Sequence, residues 1–211
     1  MTLNHDEIQA ANQRLRQADP TDIIRWTVGL GRKTIASTSF GVNSGVLLHM
    51  ISETCPRLPV VWAESGYNTA ETYQVAEALT KRLRTHLHVY TPLMTSERRH
   101  AIEGAIPTLD EAERHARFTR QVKLEPFERA LQEHQPSVWI SGIRKLESDY
   151  RDTLDIVSID SRGTLKIAPL FYWSDQQLER YRSAMDLPSC SHYFDPTKVH
   201  AGRECGLHSA A

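Results

Sequence analysis

The sequence predicts an α/β protein, a three-layer sandwich built on a mostly parallel central sheet. Short strand-like runs alternate with stretches of helical periodicity along most of the chain, the pattern that produces parallel sheets. One such run, Pro59–Ala63 (PVVWA), is apolar throughout, as a buried strand requires. With 211 residues, 40% of them hydrophobic and 24% charged, the chain can enclose one sizeable core.

The elements follow in order. About Asp6 to Arg16 the spacing predicts an amphipathic helix with Ile8, Ala11 and Leu15 on one side. A second helix follows Pro20, a residue suited to a first helical turn. Lys33–Ser39 reads as a strand, Val42–Thr54 as a helix and Pro59–Ala63 as the second strand. Thr69–Leu83 carries Tyr73, Ala76, Leu79 and Leu83 at helical spacing, and Leu87–Tyr90 is a third strand. Thr95–Arg120 is polar and helical in part; its Arg98, Arg99, Arg114 and Arg117 read as solvated charge. Glu125–Glu133 is a helix and Val138–Ser141 a fourth strand. Ile156–Asp160 and Leu165–Ile167 form a hairpin around Arg162-Gly163. Asp175–Met185 is a helix opened by Ser174, a good N-cap. Asp186–Ala211 is irregular and rich in Pro, His and Gly.

Composition excludes several functions. With 25 basic and 26 acidic residues the formal net charge is −1, so no global field favours long nucleic acids. No apolar run approaches the roughly 18 residues of a membrane span. The polar start of the chain lacks a signal-peptide core, which leads us to expect a cytoplasmic protein. The three cysteines, Cys55, Cys190 and Cys205, are too few and too far apart for a disulfide framework or a zinc site. The ten histidines show no metal spacing, and no metal is expected.

Between the first strand and its helix lies Ser37-Thr38-Ser39-Phe40-Gly41-Val42-Asn43-Ser44-Gly45. Small hydroxylated residues and glycines let backbone approach an anion, and the N–H groups and dipole at the helix start favour phosphate. The loop lacks GKS or GKT, so it is not a Walker A motif. Alone, it could equally be a plain strand-to-helix turn. In an open parallel sheet such a loop borders the ligand crevice, because ligands sit beyond the carboxyl ends of the strands.

Further segments give that loop a context. Glu64-Ser65-Gly66-Tyr67 and Glu71-Thr72-Tyr73 follow the second strand. Then come Lys123-Leu124-Glu125-Pro126, Trp139-Ile140-Ser141-Gly142-Ile143-Arg144 with Ser148 and Arg151, and Lys166-Ile167-Ala168-Pro169-Leu170 with Trp173. The chain closes with Arg203-Glu204-Cys205-Gly206-Leu207-His208. In this order, from about Lys33 to His208, the motifs resemble those of the phosphoadenylyl-sulfate (PAPS) reductase family, which has an adenine-nucleotide α-hydrolase-like fold.

The resemblance implies an oxidoreductase of sulfate assimilation and cysteine biosynthesis. PAPS would be reduced to sulfite and adenosine 3′,5′-bisphosphate through a cysteine S-sulfonate. It makes Cys205 the catalytic nucleophile, on a flexible C-terminal tail, with thioredoxin or glutaredoxin as reductant and a homodimer as the assembly. Residues 1–190 would be the nucleotide-binding α/β domain with its N-terminal helices, and 191–211 the catalytic tail. Substrate binding falls to Ser37, Thr38, Ser39, Phe40, Gly41, Glu64, Gly66, Lys123, Gly142, Arg144, Ser148, Arg151, Lys166, Arg203 and His208. Arg203 and His208 also place positive charge near the Cys205 thiol, which favours the attacking thiolate. Cys55 reads as structural; Cys190, in a turn-like Pro-Ser-Cys-Ser context, is a second candidate for an exposed, reactive thiol, less favoured than Cys205.

The chain departs from the family in places. Iron–sulfur members carry paired cysteines where this chain has Phe118-Thr119. A cluster takes about four thiolates, more than this chain holds, so no cluster is expected. Glu64 stands where the family has Asp, and Asn68-Thr69-Ala70 replaces its usual bulky-Phe-Pro. The segment 193–202 is short, which limits how far Cys205 can travel. The alternative function is a nucleotide α-hydrolase of the same fold acting on another sulfur or adenylation substrate, although its usual SGGxDS loop is absent.

Overall fold

The computed structural model describes residues 3–108 and 110–198, without the side chain of Leu146. Two helices lead in: α1 (His5–Leu15), opened by an Asn4/Glu7 capping box, and α2 (Pro20–Gly29), capped by Asp19 with Pro20 in its first turn. The alternating body follows as β1 (Thr34–Thr38), α3 (Ser44–Thr54), β2 (Val60–Ala63), α4 (Ala70–Leu83) and β3 (Leu87–Tyr90). The polar stretch holds α5 (Ser96–Glu103) and α6 (Ala112–Thr119). Helix α6 runs through a π-helical turn, Arg120–Leu124, into α7 (Glu125–His134). After β4 (Val138–Ile140) come a 3₁₀ turn (Lys145–Glu147), the short α8 (Asp149–Asp152), β5 (Val157–Ile159), β6 (Leu165–Ile167) and α9 (Asp175–Ala184).

The six strands lie in the order β3-β2-β1-β4-β6-β5. All pairs are parallel except β5 with β6, a hairpin whose turn is held by the Asp160 carboxylate and by Gly163 at φ +80°. Side chains alternate across the sheet. Ala36, Val60, Val138, Ile140, Leu165 and Ile167 join the core beneath α2, α3, α4 and α9. Ile35, Val61 and Trp139 face the other way, onto Phe127 and Ala130 of α7. The three layers are therefore those the sequence predicts.

Differences from the expected elements have local causes. Lys33, Ser39, Pro59 and Ser141 lie just outside the strands, and α3 starts at Ser44 rather than Val42, because the loop before it is spent on a turn. Arg99 is a correction. It is 3% exposed, not solvated: its guanidinium lies 4.4 Å over the Phe118 ring and donates to the Gly104 carbonyl at 3.2 Å.

One buried side chain helps tie the N-terminal helices to the far edge of the sheet, beside the exposed Arg16–Asp155 ion pair. Buried Asn12 donates to the Val157 carbonyl at 2.9 Å and accepts from the Val157 N–H at 2.8 Å, filling both ladder positions of β5. Asn12→Ala leaves both backbone groups buried and unpaired. We expect it to lower unfolding free energy by about 1–3 kcal/mol. Urea denaturation checks this; a loss no larger than that of an ordinary surface substitution would refute it.

Candidate active site

The sheet order places the site. From β1 the chain moves outward to β2 and β3, then returns to lay β4 on the opposite side of β1. The connections after β1 and β4 thus diverge, opening a crevice at their carboxyl ends. A cleft of about 320 Å³ lies there. Ser37, Thr38, Ser39, Gly41, Asn43 and Ser44 line it from β1, and Ser141, Gly142 and Arg144 from β4. Lys123, Glu147, Arg151, Tyr193, Asp195 and Lys198 also line it, as do the apolar Trp62, Phe127 and Leu170.

The β1 loop is built tightly. Phe40 takes φ +51°, the left-handed region that a non-glycine residue adopts at a cost of order 1–3 kcal/mol. Two interactions hold it there: its N–H donates to Thr38 Oγ1 at 3.1 Å, and its fully buried ring meets Trp62 edge-on at 4.8 Å. A Cβ on Gly41 would lie 3.4 Å from the Tyr193 ring, so glycine admits that close approach. The Trp139 indole donates to Ser37 Oγ at 2.7 Å, which fixes β1 against β4 beside the crevice. Asn43 stands at the N-cap of α3 without a side-chain cap bond, unlike the caps of α2, α4 and α9.

Lys123 reaches the cleft through a break in helical regularity. Pro126 has no N–H to return to the Val122 carbonyl, and the helix widens just before it, where the Glu125 N–H bonds back to Arg120. This turn carries Lys123, 7% exposed, into an ion pair with Asp195. Burial by itself would push the Asp195 carboxyl up. The Lys123 charge, with hydrogen bonds from Lys123 and Thr197, outweighs burial and holds it below the usual carboxylate range.

Arg144 and Arg151 bracket the opposite wall and share a carboxylate. Arg151 pairs with Glu147; Arg144 reaches Glu147 at 3.3 Å and Asp175 at 2.8 Å. Their side chains are only 13% and 6% exposed. Both guanidiniums are thus oriented as well as charged, the arrangement suited to oxyanions.

Of the residues expected to bind substrate, Ser37, Thr38, Ser39, Gly41, Lys123, Gly142, Arg144 and Arg151 come together in this cleft. Phe40, Glu64, Gly66, Ser148 and Lys166 do not line it. Phe40 is core. Glu64 folds back on its own turn, accepting from the Gly66 N–H at 2.6 Å, Asn68 Nδ2 at 2.9 Å and the Tyr73 hydroxyl at 2.7 Å. Ser148 caps α8. Lys166 is buried on β6, 5.5 Å from the centre of the Trp139 ring. Cys205, Arg203 and His208 lie outside the described residues.

Cys55 and Cys190 are both described, and burial raises both thiols above their ordinary range. Cys190, 2% exposed, points its sulfur at the Phe40 carbonyl. Phe118 is fully buried against Tyr67 and Arg99. Among the described residues no group of three or more His, Cys, Asp or Glu could hold a metal ion, and no helix is long and apolar enough to cross a membrane.

Comparison with known proteins bears on this geometry. The model of the phosphoadenosine phosphosulfate reductase domain matches residues 33–196. A phosphoadenosine 5′-phosphosulfate reductase of Synechococcus is 35% identical over 178 residues, covering 84% of this chain and 76% of the relative. One from Synechocystis is 32% identical over 202 residues, covering 95% and 80%. A crystal structure of phosphoadenylyl-sulfate (PAPS) reductase from Candida auris, solved as a phosphate complex, superposes with a TM-score of 0.78 at 26% identity over 90% of each chain. An FMN adenylyltransferase of Candida glabrata, at 16% identity and a TM-score of 0.59, shares the fold alone; it covers 90% of this chain and 61% of its own.

The Asp195–Lys123 pair gives the cleft a pH signature. A carboxyl held low in the folded state adds stability that is complete above its unfolded pKa, about 4. That stability is lost as pH falls through the lower folded value. We expect the stability difference between the wild-type protein and Asp195→Asn to shrink between neutral pH and about pH 3. Paired denaturation curves test this; a constant difference would mean that Asp195 is not charged in the fold.

Proposed function

The chain belongs to the phosphoadenosine phosphosulfate reductase family, and from that we propose that it reduces PAPS to sulfite and adenosine 3′,5′-bisphosphate in sulfate assimilation. The observation that carries this reading is the cleft itself. Hydroxyls and backbone of the Ser37–Ser44 loop share it with three largely buried cations, Lys123, Arg144 and Arg151. A sulfonucleotide presents several anionic oxygens, and their desolvation requires full charges as well as neutral donors. Trp62, Phe127 and Leu170 offer apolar surface suited to a nucleobase.

In this reading the Cys205 thiolate attacks the sulfur of the sulfate group. The S–O bond to phosphorus breaks, its electron pair leaves with the nucleotide phosphate, and an enzyme S-sulfonate remains. One thiolate of an external dithiol then attacks Cys205 Sγ, and sulfite departs with the S–S electron pair. The second thiol closes the dithiol to a disulfide and returns Cys205 as thiolate. Arg144, Arg151 and Lys123 stabilise charge on the departing phosphate. Thioredoxin or glutaredoxin supplies the dithiol, and residues 191–211 form the tail that carries the nucleophile. Buried Cys190, with its raised thiol, is poorly suited to that role, which strengthens the assignment to Cys205.

Cys205→Ser is expected to abolish sulfite release from PAPS and reduced thioredoxin while leaving nucleotide affinity nearly unchanged, since recognition resides in the cleft. Substantial turnover by that variant would remove Cys205 from the mechanism. Arg144→Ala and Arg151→Ala should each weaken binding of adenosine 3′,5′-bisphosphate by about 1.5–3 kcal/mol. Arg→Lys should restore only part of it, because the charge returns without the fork. Arg151→Ala, which strips Glu147 of its i,i+4 cation, should also lower the melting temperature. Calorimetric titration beside thermal unfolding separates these effects; unchanged affinity with lost stability would make both arginines purely structural.

A further inference from the structure

The sulfonucleotide reading uses the cations of the cleft and leaves one of its anions without a role. Asp195 projects a carboxylate onto Lys123 inside the anion site, and the two side chains are 5% and 9% exposed. Several contacts besides Lys123 hold it there. Asp195 Oδ1 accepts from the Thr197 N–H at 3.0 Å and from Thr197 Oγ1 at 2.6 Å, and Thr197 is itself 2% exposed. Upstream, Tyr193 rests on Gly41, Ser191 donates twice to Glu71, and Ser189 Oγ donates to the Val42 carbonyl at 2.8 Å. Residues 189–198 therefore run as a strap from the end of α9, across the phosphate loop, to the cleft.

A carboxylate and a phosphate or sulfate oxygen make the same demand on an ammonium group. Two anions cannot share one buried ammonium without mutual repulsion, which is strong where water is excluded. We propose that Asp195 sets the anion affinity of the cleft: its carboxylate competes with an anionic group of the nucleotide for Lys123 and must yield it before that group can bind. This rests on the reading of the cleft as a sulfonucleotide site. A ligand with a phosphate or sulfate in reach of Lys123 offers the ammonium a replacement anion. An uncharged nucleoside offers none, so it leaves the Asp195–Lys123 pair intact. The competition lowers affinity for every ligand that needs Lys123 and leaves uncharged ligands untouched, so it trims the advantage that the cations give an anionic nucleotide.

The test is calorimetric titration of the full chain, wild type and Asp195→Asn, with adenosine 3′,5′-bisphosphate and with adenosine at one fixed salt concentration. The amide keeps the size of the side chain and removes its charge. We expect Asp195→Asn to bind the bisphosphate on the order of tenfold more tightly, within the usual range of coupling between two competing interactions. Affinity for adenosine should stay the same. Thr197→Val, which removes one donor that positions the carboxylate but keeps its charge, should shift bisphosphate affinity in the same direction by less. It also serves if Asp195→Asn does not fold. Unchanged or weaker bisphosphate binding by these variants, with the wild type binding normally, would overturn the proposal alone. An equal gain for adenosine would overturn it too, since the strap would then be excluding ligands by bulk. Failure of the wild type to bind the bisphosphate would overturn the sulfonucleotide reading and this inference together.

Discussion

The constraint on which the rest depends is the parallel run of β2, β1, β4 and β6. Parallel strands put their carboxyl ends on one edge of the sheet, and a chain that leaves β1 in one direction and returns on its other side must part its connections there. The loop after β1 and the loop after β4 each contribute what a short backbone segment can: hydroxyls, N–H groups and glycines. The cations come from elements that cross the same edge, Lys123 from the π-helical turn before α7, and Arg144 and Arg151 from the two short helical pieces after β4. None of these would meet if β4 paired with β3.

Packing on the two faces explains how the edge stays in register. The broad face buries a continuous aliphatic core beneath α2, α3, α4 and α9. The α7 face is narrower and more aromatic, with Trp139 packed on Phe127 at 4.8 Å between ring centres. Trp139 also bonds Ser37 and carries Lys166 over its ring, so one side chain links β1, β4 and β6 just below the cleft. The strained Phe40 is tolerable because its ring is anchored in the opposite core. Strain in the loop is thus balanced by packing on one face, while its alignment is set from the other.

Much of this was legible in the sequence because it rests on local patterns. Apolar runs, helical spacing, Pro20 in a first turn and the cap Ser174 are read within a few residues. The loop, Lys123, Arg144 and Arg151 were legible as motifs, and the sheet order brings them together. What the sequence left hidden depended on direction or on distance. Phe40 sits in the motif, but its left-handed backbone turns the ring into the core. Glu64 has one more methylene than Asp, and its carboxylate receives two donors from its own turn and a third from Tyr73 on α4. Arg99 looked like one charge among many, and only the fold sets it over Phe118. Asp195 was the largest omission. Locally, Asp-Pro-Thr reads as a turn that satisfies itself, and its ion-pair partner is 72 residues away.

The acidic groups of the cleft then follow from electrostatics. Three largely buried cations around one small space would repel one another and lose hydration, a penalty that packing alone cannot offset. Glu147 answers this on the arginine wall by serving both Arg144 and Arg151, and Asp195 answers it for Lys123. The two carboxylates differ in attachment. Glu147 lies on the 3₁₀ turn between its two arginines, in the same segment, so it can stay and orient them while ligand oxygens bind their remaining N–H donors. Asp195 belongs to a strap that reaches the cleft from α9, and an ammonium has no rigid fork that divides its donors between two fixed anions. An incoming anion can therefore join the arginine wall without evicting its carboxylate, whereas at Lys123 it meets direct competition. The cost of admitting an anion to the cleft therefore concentrates at that lysine.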